Sequence, residues 1–426
     1  VSTPGDTEST TPSRLTRRSL LAVGAVAVPV AIAGCAKSDS LGEALSSGGS
    51  TSSASGGTTA GSAAPSSATP TPTPTPATLT VTAQHPLTAV QPTDTLTFTA
   101  SHGTLRTVKV LNAKKETVDG TLTGTTWKPK VPFRLSSTYT VVATLANADS
   151  SAGATVDSTT TIKTLQADSN TASLLYEGSP VGVGMPVIVK FENEVVDATR
   201  RAAIQKAMTI DVSPAQEGAW GWIDNTQLMW RPKSYWKAGT KVQVSGKLAG
   251  LTTSSHRWLL DDLSGTLDVG DSRIIKVSIP NHSLSVVVNG STVKTFPCTT
   301  GKDGFVTRSG TKVIIERESH MVMDAATVGI PTTSPDYYKL AVDWAMRETY
   351  TGEFIHAAPW STKSQGLANV SHGCVGLATA NAKWLFNLCR AGDVVETTGS
   401  NRTFKPSEGI GCWCYDWSGW QGLSAV

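Results

Sequence analysis

Charge is scarce in this chain. Only 16% of its 426 residues are Asp, Glu, Lys or Arg, and the formal net charge is +3. That near-balance leaves no basic footprint of the kind a nucleic-acid backbone demands, so no nucleic-acid partner is expected. Long apolar runs are missing too. The longest, about 16 residues from Ser19 to Gly34, contains Pro29 and falls short of the roughly 20 that a spanning helix needs. Cysteine and histidine are few, six and seven, which excludes a disulfide-dense scaffold. It also makes any thiol near an imidazole worth following.

The apolar run is instead part of a targeting segment. Arg14, Arg17 and Arg18 precede it, and Ile32-Ala33-Gly34-Cys35 ends it. Arg17-Arg18 followed by Ser19-Leu20-Leu21 resembles a twin-arginine export signal. The last four residues resemble a bacterial lipobox, in which the cysteine, here Cys35, is lipidated; a plain membrane anchor is the competing reading. Residues 1–35 therefore read as a signal peptide with a lipobox. Residues 36–77 are mostly Ser, Thr, Gly, Ala and Pro, with three charges and no aromatic, a linker that cannot bury enough apolar surface to fold. Flexible, it spans roughly 35 Å r.m.s.. Its "TPTPTPTP" end is stiffer, polyproline-like chain.

From 78 to 167 the pattern has period two: "TLTVTA", "TLTFTA", "TVKVLNA", "YTVVATLA" and "TTTIKTL" alternate Thr or Lys with apolar residues. Short strands at this spacing predict a β-sandwich. A second strand-rich unit covers 168–270, with "PVIVKFE", "KVQVSGKL" and one helical stretch, "ATRRAAIQKAM". Its tryptophans, Trp220, Trp222, Trp230, Trp236 and Trp258, read as core packing rather than as a ligand shelf. A third unit, 271–399, opens with "RIIKVSI" and a hairpin turning at Asn289-Gly290. "TKVIIER" (311–317) and "GEFIHA" (352–357) read as strands, and "TANAKWLFNLCRAG" (379–392) as a helix ending at Gly392. The tail, 400–426, carries Trp413, Trp417 and Trp420, which suggests that it docks on the body.

The chemistry concentrates in "VSHGCVGL", residues 370–377. A nucleophilic thiol needs a base and donors for an oxyanion. Cys374 has His372 two residues away and His356 eighteen residues earlier, at a strand end. Gly373 lets backbone N–H groups come close to a reacting carbonyl. Spacing alone leaves either histidine open as the base; the rigidity of a strand end favours His356, with His372 orienting the loop. Zinc binding by His320, His356, His372 and Cys374, or a purely structural Cys-Gly turn, are the competing readings. Cys298, Cys389, Cys412 and Cys414 admit one or two disulfides outside the membrane, or remain free thiols.

"SHGC" with a histidine in the upstream "IHAAPW" resembles the signature of the L,D-transpeptidase catalytic domain. Two sandwich-like units before it resemble the lipid-anchored members with two bacterial Ig-like domains. The resemblance implies a mainly β chain: Ig-like domains at 78–167 and 168–270, then a β-rich catalytic domain at 271–399 with few helices. It implies Cys374 as nucleophile and His356 as base, the imidazole oriented by the carbonyl of Ala357, with His372 and Gly373 completing the motif. "HMVMD" and "SPDYYKL" resemble the active-site lid, which would put Met323 and Tyr338 along the substrate channel. Thr351 and Gly352 would lie along the donor peptide, Trp360 would border the pocket, and Ser371 would face substrate. At Gly376 the family usually carries Asn or Arg, so a side-chain donor is missing there.

The implied reaction links the third residues of two peptidoglycan stem peptides through a cysteine thioester, releasing D-Ala and needing no cofactor. Carbapenem β-lactams are the implied covalent inhibitors. Hydrolysis in place of transfer would make an L,D-carboxypeptidase. A thiol hydrolase on another substrate, or a non-catalytic wall-binding lipoprotein, are the other classes. The implied location is the outer face of the cell membrane, held by the lipid on Cys35.

Overall fold

Alternation of Thr with Val, Ile, Leu and Phe builds the first pair of sheets. The computed structural model describes residues 75–148 and 153–426; the expectations for residues 1–35, Cys35 among them, and for nearly all of the 36–77 linker lie outside that range. Strands Thr78–Ala83, Leu96–Ser101, Thr126–Pro129 and Gly120–Thr123 form one antiparallel sheet. Gly103–Leu111, Thr138–Asn147 and Thr155–Lys163 form the other. In Thr138–Asn147 the inward residues Tyr139, Val141, Ala143 and Leu145 are buried and alternate with wetter ones. Leu96, Phe98, Val110, Trp127, Phe133 and Ile162 complete the apolar filling.

The next unit has one sheet of four strands and two of three, one of the latter joining Thr252–Ser254, Arg257–Leu259 and Asp168–Asn170. Val187–Phe191, buried at four of five positions, runs between Ala172–Leu174 and Gln227–Pro232, with Gly218–Asp224 at the edge. Lys241–Gly246 alternates strictly between Met208–Ser213 and Leu263–Asp268. Helix Ala198–Ala207 begins where the Asp197 carboxylate accepts the Arg200 N–H at 2.8 Å. The tryptophans pack inside: Trp222 stacks on Phe191 at 5.5 Å and Trp230 on Trp236 at 5.2 Å.

The third unit holds two sheets and a helix. Ser291–Pro297, Ser283–Val288, Arg273–Ser278, Val394–Thr398 and Gly310–Val313 make the five-stranded sheet. Glu316–Asp324, Lys339–Arg347, Phe354–Ala357 and Val375–Leu377 make the four-stranded one. "TKVIIER" is therefore not one strand. Ile314 N–H donates to Asp393 and Ile315 N–H to Arg347, so the chain changes partner sheets between two adjacent isoleucines. The helix is also shorter than its pattern, Thr379–Leu388. Cys389 turns extended, and Gly392, at φ 88°, lies in a turn whose N–H reaches Ile314 and whose carbonyl takes the Gly184 N–H. Tertiary hydrogen bonds end the helix before its glycine does.

The C-terminal residues lie against the 168–270 unit. Trp420 is fully buried and donates its indole N–H to the Ala219 carbonyl at 2.9 Å; Trp413 donates to Gly184 at 2.7 Å. The Arg231 guanidinium stands 4.6 Å above Trp413 and donates to the Tyr415 carbonyl at 3.0 Å. The five cysteines of the described residues are all free thiols, so no disulfide joins Cys298, Cys389, Cys412 and Cys414.

Candidate active site

Pairing register brings the thiol and the imidazole together. Phe354–Ala357 and Val375–Leu377 pair in parallel, with His356 opposite Gly376. Side chains alternate along a strand, so Cys374, two residues before Gly376, shares the face of His356. Neighbouring strands about 4.8 Å apart and a two-residue offset of about 6.6 Å put the two Cα atoms roughly 8 Å apart, within reach of both side chains. Both line one cleft of about 290 Å³.

His356 has a fixed tautomer. Its Nδ1 lies 2.7 Å from the Ala357 carbonyl oxygen, which only accepts, so Nδ1 carries the hydrogen and Nε2 keeps its lone pair. Burial also pushes the imidazole below its ordinary range, against the pull of that carbonyl. A neutral, oriented imidazole is a base in waiting. The Cys374 thiol is 5% exposed and donates to the Gly352 carbonyl at 3.5 Å. Burial pushes it up to about 12, only partly offset by the Phe354 backbone N–H. At rest the pair is neutral thiol and neutral imidazole.

The turn bearing the thiol is tied from several sides. Gly373 has φ 123°, a conformation that L side chains rarely adopt. Its carbonyl accepts the Thr307 hydroxyl at 2.7 Å and its N–H donates to Ser371 Oγ at 3.1 Å. Ser371 Oγ in turn donates to the Cys374 carbonyl at 2.6 Å. His372 is wedged between Phe305 and Tyr338, with ring centroids at 4.7 and 5.0 Å, and its Nε2 stands 3.5 Å from Asp336.

The cleft gathers Cys374, His356, His372, Met323, Tyr338, Trp360, Ser371 and Gly376 from four separate stretches. Gly373 supports it from behind, and Gly352 meets the thiol through its carbonyl. Thr351 is not among the lining residues; it is exposed, and its hydroxyl donates to Thr349 at 3.2 Å. Sequence reasoning missed Thr299, Leu340, Val342, Ser361 and Val370, which line the cleft as well. Leu340 and Val342 follow from the alternation of the Lys339–Arg347 strand, whereas no local signal places Thr299 beside Gly376. Gly376 has a steric role besides its lack of a donor: a Cβ there would stand 2.8 Å from Thr299 Cγ2 and 3.0 Å from Ala358 Cβ.

Comparison with known proteins identifies the family. A family described as bacterial Ig domain matches residues 87–252, and one described as L,D-transpeptidase catalytic domain matches 272–397. L,D-transpeptidase 2 of Mycobacterium tuberculosis (strain CDC 1551 / Oshkosh) is 32% identical over 335 residues, 78% of this chain and 80% of that protein. L,D-transpeptidase 1 of M. tuberculosis (strain ATCC 25618 / H37Rv) is 35% identical over 222 residues, 52% of this chain and 82% of that one. A solved L,D-transpeptidase in complex with imipenem is 34% identical, covers 54% of this chain and 97% of its own, and superposes with a TM-score of 0.47.

Proposed function

Since the chain belongs to the L,D-transpeptidase family and carries its catalytic domain, we propose that it cross-links peptidoglycan stem peptides through a thioester on Cys374. The observation that carries this reading is the free Nε2 of His356 in the same cleft as the thiol. His356 takes the Sγ proton as sulfur attacks the carbonyl of the third residue of a tetrapeptide stem. With the Ser371 and Gly373 N–H groups already donating within the fold, the backbone N–H groups of His372 and Cys374 receive the oxyanion. The bond to the terminal D-Ala breaks, and the proton held on His356 leaves with its amine. A side-chain amine of a neighbouring stem then attacks the thioester, giving its proton to His356; the C–S bond breaks, His356 returns that proton to the Cys374 sulfur, and a new amide replaces the old one. One peptide bond is exchanged for another, so no ATP is needed.

The neutral resting pair supports this order of events. Burial disfavours the thiolate, which favours proton transfer to His356 in step with attack. Met323, Tyr338 and Trp360 bound the donor strand, Gly352 lies along it, and His372 holds the turn in place. Carbapenem β-lactams present a strained carbonyl to the same sulfur. Mass spectrometry of purified muropeptides incubated with the chain tests the activity. Dimers joined third residue to third residue support it; loss of D-Ala without dimers indicates hydrolysis, and unchanged muropeptides refute both.

The same proposal places the enzyme outside the cell membrane, anchored by lipid on Cys35 and exported through Arg17-Arg18. Cys35→Ala should move the protein from the membrane to the soluble fraction. Retention in the membrane would mean that the apolar segment itself is the anchor.

A further inference from the structure

A cluster of buried charges lies directly behind the thiol. Lys312 is 0% exposed and bridges Glu348 and, at 3.2 Å, Glu353. Arg308 bridges Glu353 at 2.8 Å and Glu408 at 2.9 Å. Two cations face three carboxylates. Such a buried network is a poor device for stability, because desolvation consumes most of the Coulomb gain and apolar residues of similar volume do as well. Its position suggests a different use.

Glu353 is the member that touches the site. It follows Gly352, whose carbonyl takes the thiol hydrogen, and precedes Phe354, whose N–H faces the sulfur. Its Cγ would lie 3.6 Å from a Cβ built on Gly373. Three donors hold its carboxylate: Arg308 N–H at 3.1 Å, Arg308 Nη1 at 2.8 Å and Lys312 Nζ at 3.2 Å. Its own N–H donates to the Thr349 hydroxyl at 2.9 Å, and its carbonyl accepts the Glu348 N–H at 2.9 Å. A residue bound so completely cannot drift, and neither can its neighbours.

We propose that Glu353 is a positioning residue for Cys374: clamped by Arg308 and Lys312, it fixes the Gly352–Phe354 backbone that cups the thiol. The cluster's charge balance also biases the sulfur, the carboxylates Glu348 and Glu353 favouring its protonated form and Lys312 opposing them. The other titratable groups facing the thiol are His356, His372 and Tyr338, which none of the variants below alters. The inference rests on the reading of Cys374 as nucleophile.

The test uses the full chain as wild type, Glu353→Gln and Lys312→Met, with circular dichroism to verify folding. Iodoacetamide alkylation of Cys374 from pH 6 to 9, read by intact mass and peptide mapping, reports the thiol alone. Carbapenem acylation reports its placement. Removing a neighbouring charge moves a thiol by about one pH unit, which after the opposing change in nucleophilicity alters alkylation about threefold. Alkylation should therefore speed up in Glu353→Gln and slow in Lys312→Met. Carbapenem acylation should slow at least about tenfold in Glu353→Gln, although its thiol alkylates faster. If Lys312→Met does not fold, Glu408→Gln at the wetter edge of the cluster replaces it and should shift alkylation in the direction of Glu353→Gln, by less. Equal alkylation rates in all variants, or acylation and alkylation that fall together in Glu353→Gln, overturn the proposal. A wild-type adduct mapping to Cys298, Cys389, Cys412 or Cys414 overturns the nucleophile assignment instead.

Discussion

Replacing Gly376 by alanine adds one methyl group at the floor of the cleft, and the structure says where it goes. The new Cβ stands 2.8 Å from Thr299 Cγ2 and 3.0 Å from Ala358 Cβ. Thr299 has no room to retreat: it is 1% exposed, its hydroxyl donates to the Ala368 carbonyl at 2.8 Å, and it accepts the Val370 N–H at 3.0 Å. Two backbone hydrogen bonds, at 2.8 and 3.1 Å, also join Thr299 to Gly376. Overpacking of this kind costs about 1–3 kcal/mol. At about 2–4 °C per kcal/mol, Tm should fall by roughly 2–12 °C. Thr299→Ser removes the offending methyl while keeping the hydroxyl, and by itself costs about 1 kcal/mol. In the double variant the clash with Thr299 is gone and only the 3.0 Å approach to Ala358 Cβ remains, so the losses should not add, and a coupling of about 1 kcal/mol or more should appear in a double-mutant cycle measured by thermal unfolding. Strictly additive losses, or a Gly376→Ala protein with wild-type Tm, would refute the steric account. They would leave Gly376 as no more than a missing donor to substrate.

Two further outcomes follow from protonation. His356→Ala should leave a folded protein whose acylation by carbapenem slows about 10²–10⁴-fold, the usual contribution of a positioned base, while Cys374→Ala should form no adduct at all by intact mass. An adduct surviving in Cys374→Ala would end the mechanism proposed here. Burial pushes the Asp393 carboxyl from 3.8 to about 7, against the Arg390 backbone N–H and nearby Arg273. The folded state then keeps a proton that the unfolded chain releases, so stability declines as pH rises from about 4 to about 7. Asp393→Asn should flatten Tm across that window; an unchanged pH slope would contradict the assignment.

Period-two alternation over 78–167 marked the strands because each residue's face is set by its immediate neighbours, and "SHGC" was legible because its glycine and thiol are adjacent in the chain. The upstream histidine stood out for the same reason, at the end of an apolar strand. Other features depended on partners distant in sequence. "TKVIIER" reads as one strand by pattern, and only the arrival of Asp393 on one side and Arg347 on the other divides it between two sheets. Gly392 looks like a helix stop, yet the chain leaves the helix earlier to meet Ile314 and Gly184.

At the site, sequence alone left two histidines open. The parallel pairing of His356 with Gly376 aligns that imidazole with the thiol's face, whereas His372 is packed between Phe305 and Tyr338. Thr351, close to the motif in sequence, points to Thr349 instead of the cleft; Thr299, remote in sequence, forms its floor. The buried charges of Lys312, Glu348 and Glu353 had no signature of their own, since a Lys in a short strand and Glu residues at strand ends read as solvated. What the sequence by itself determined was local: which residues alternate, which turn bends, where a thiol and a glycine stand side by side. What only the tertiary structure decided was burial and pairing, because desolvation and hydrogen-bond geometry depend on chain segments that no local pattern brings together.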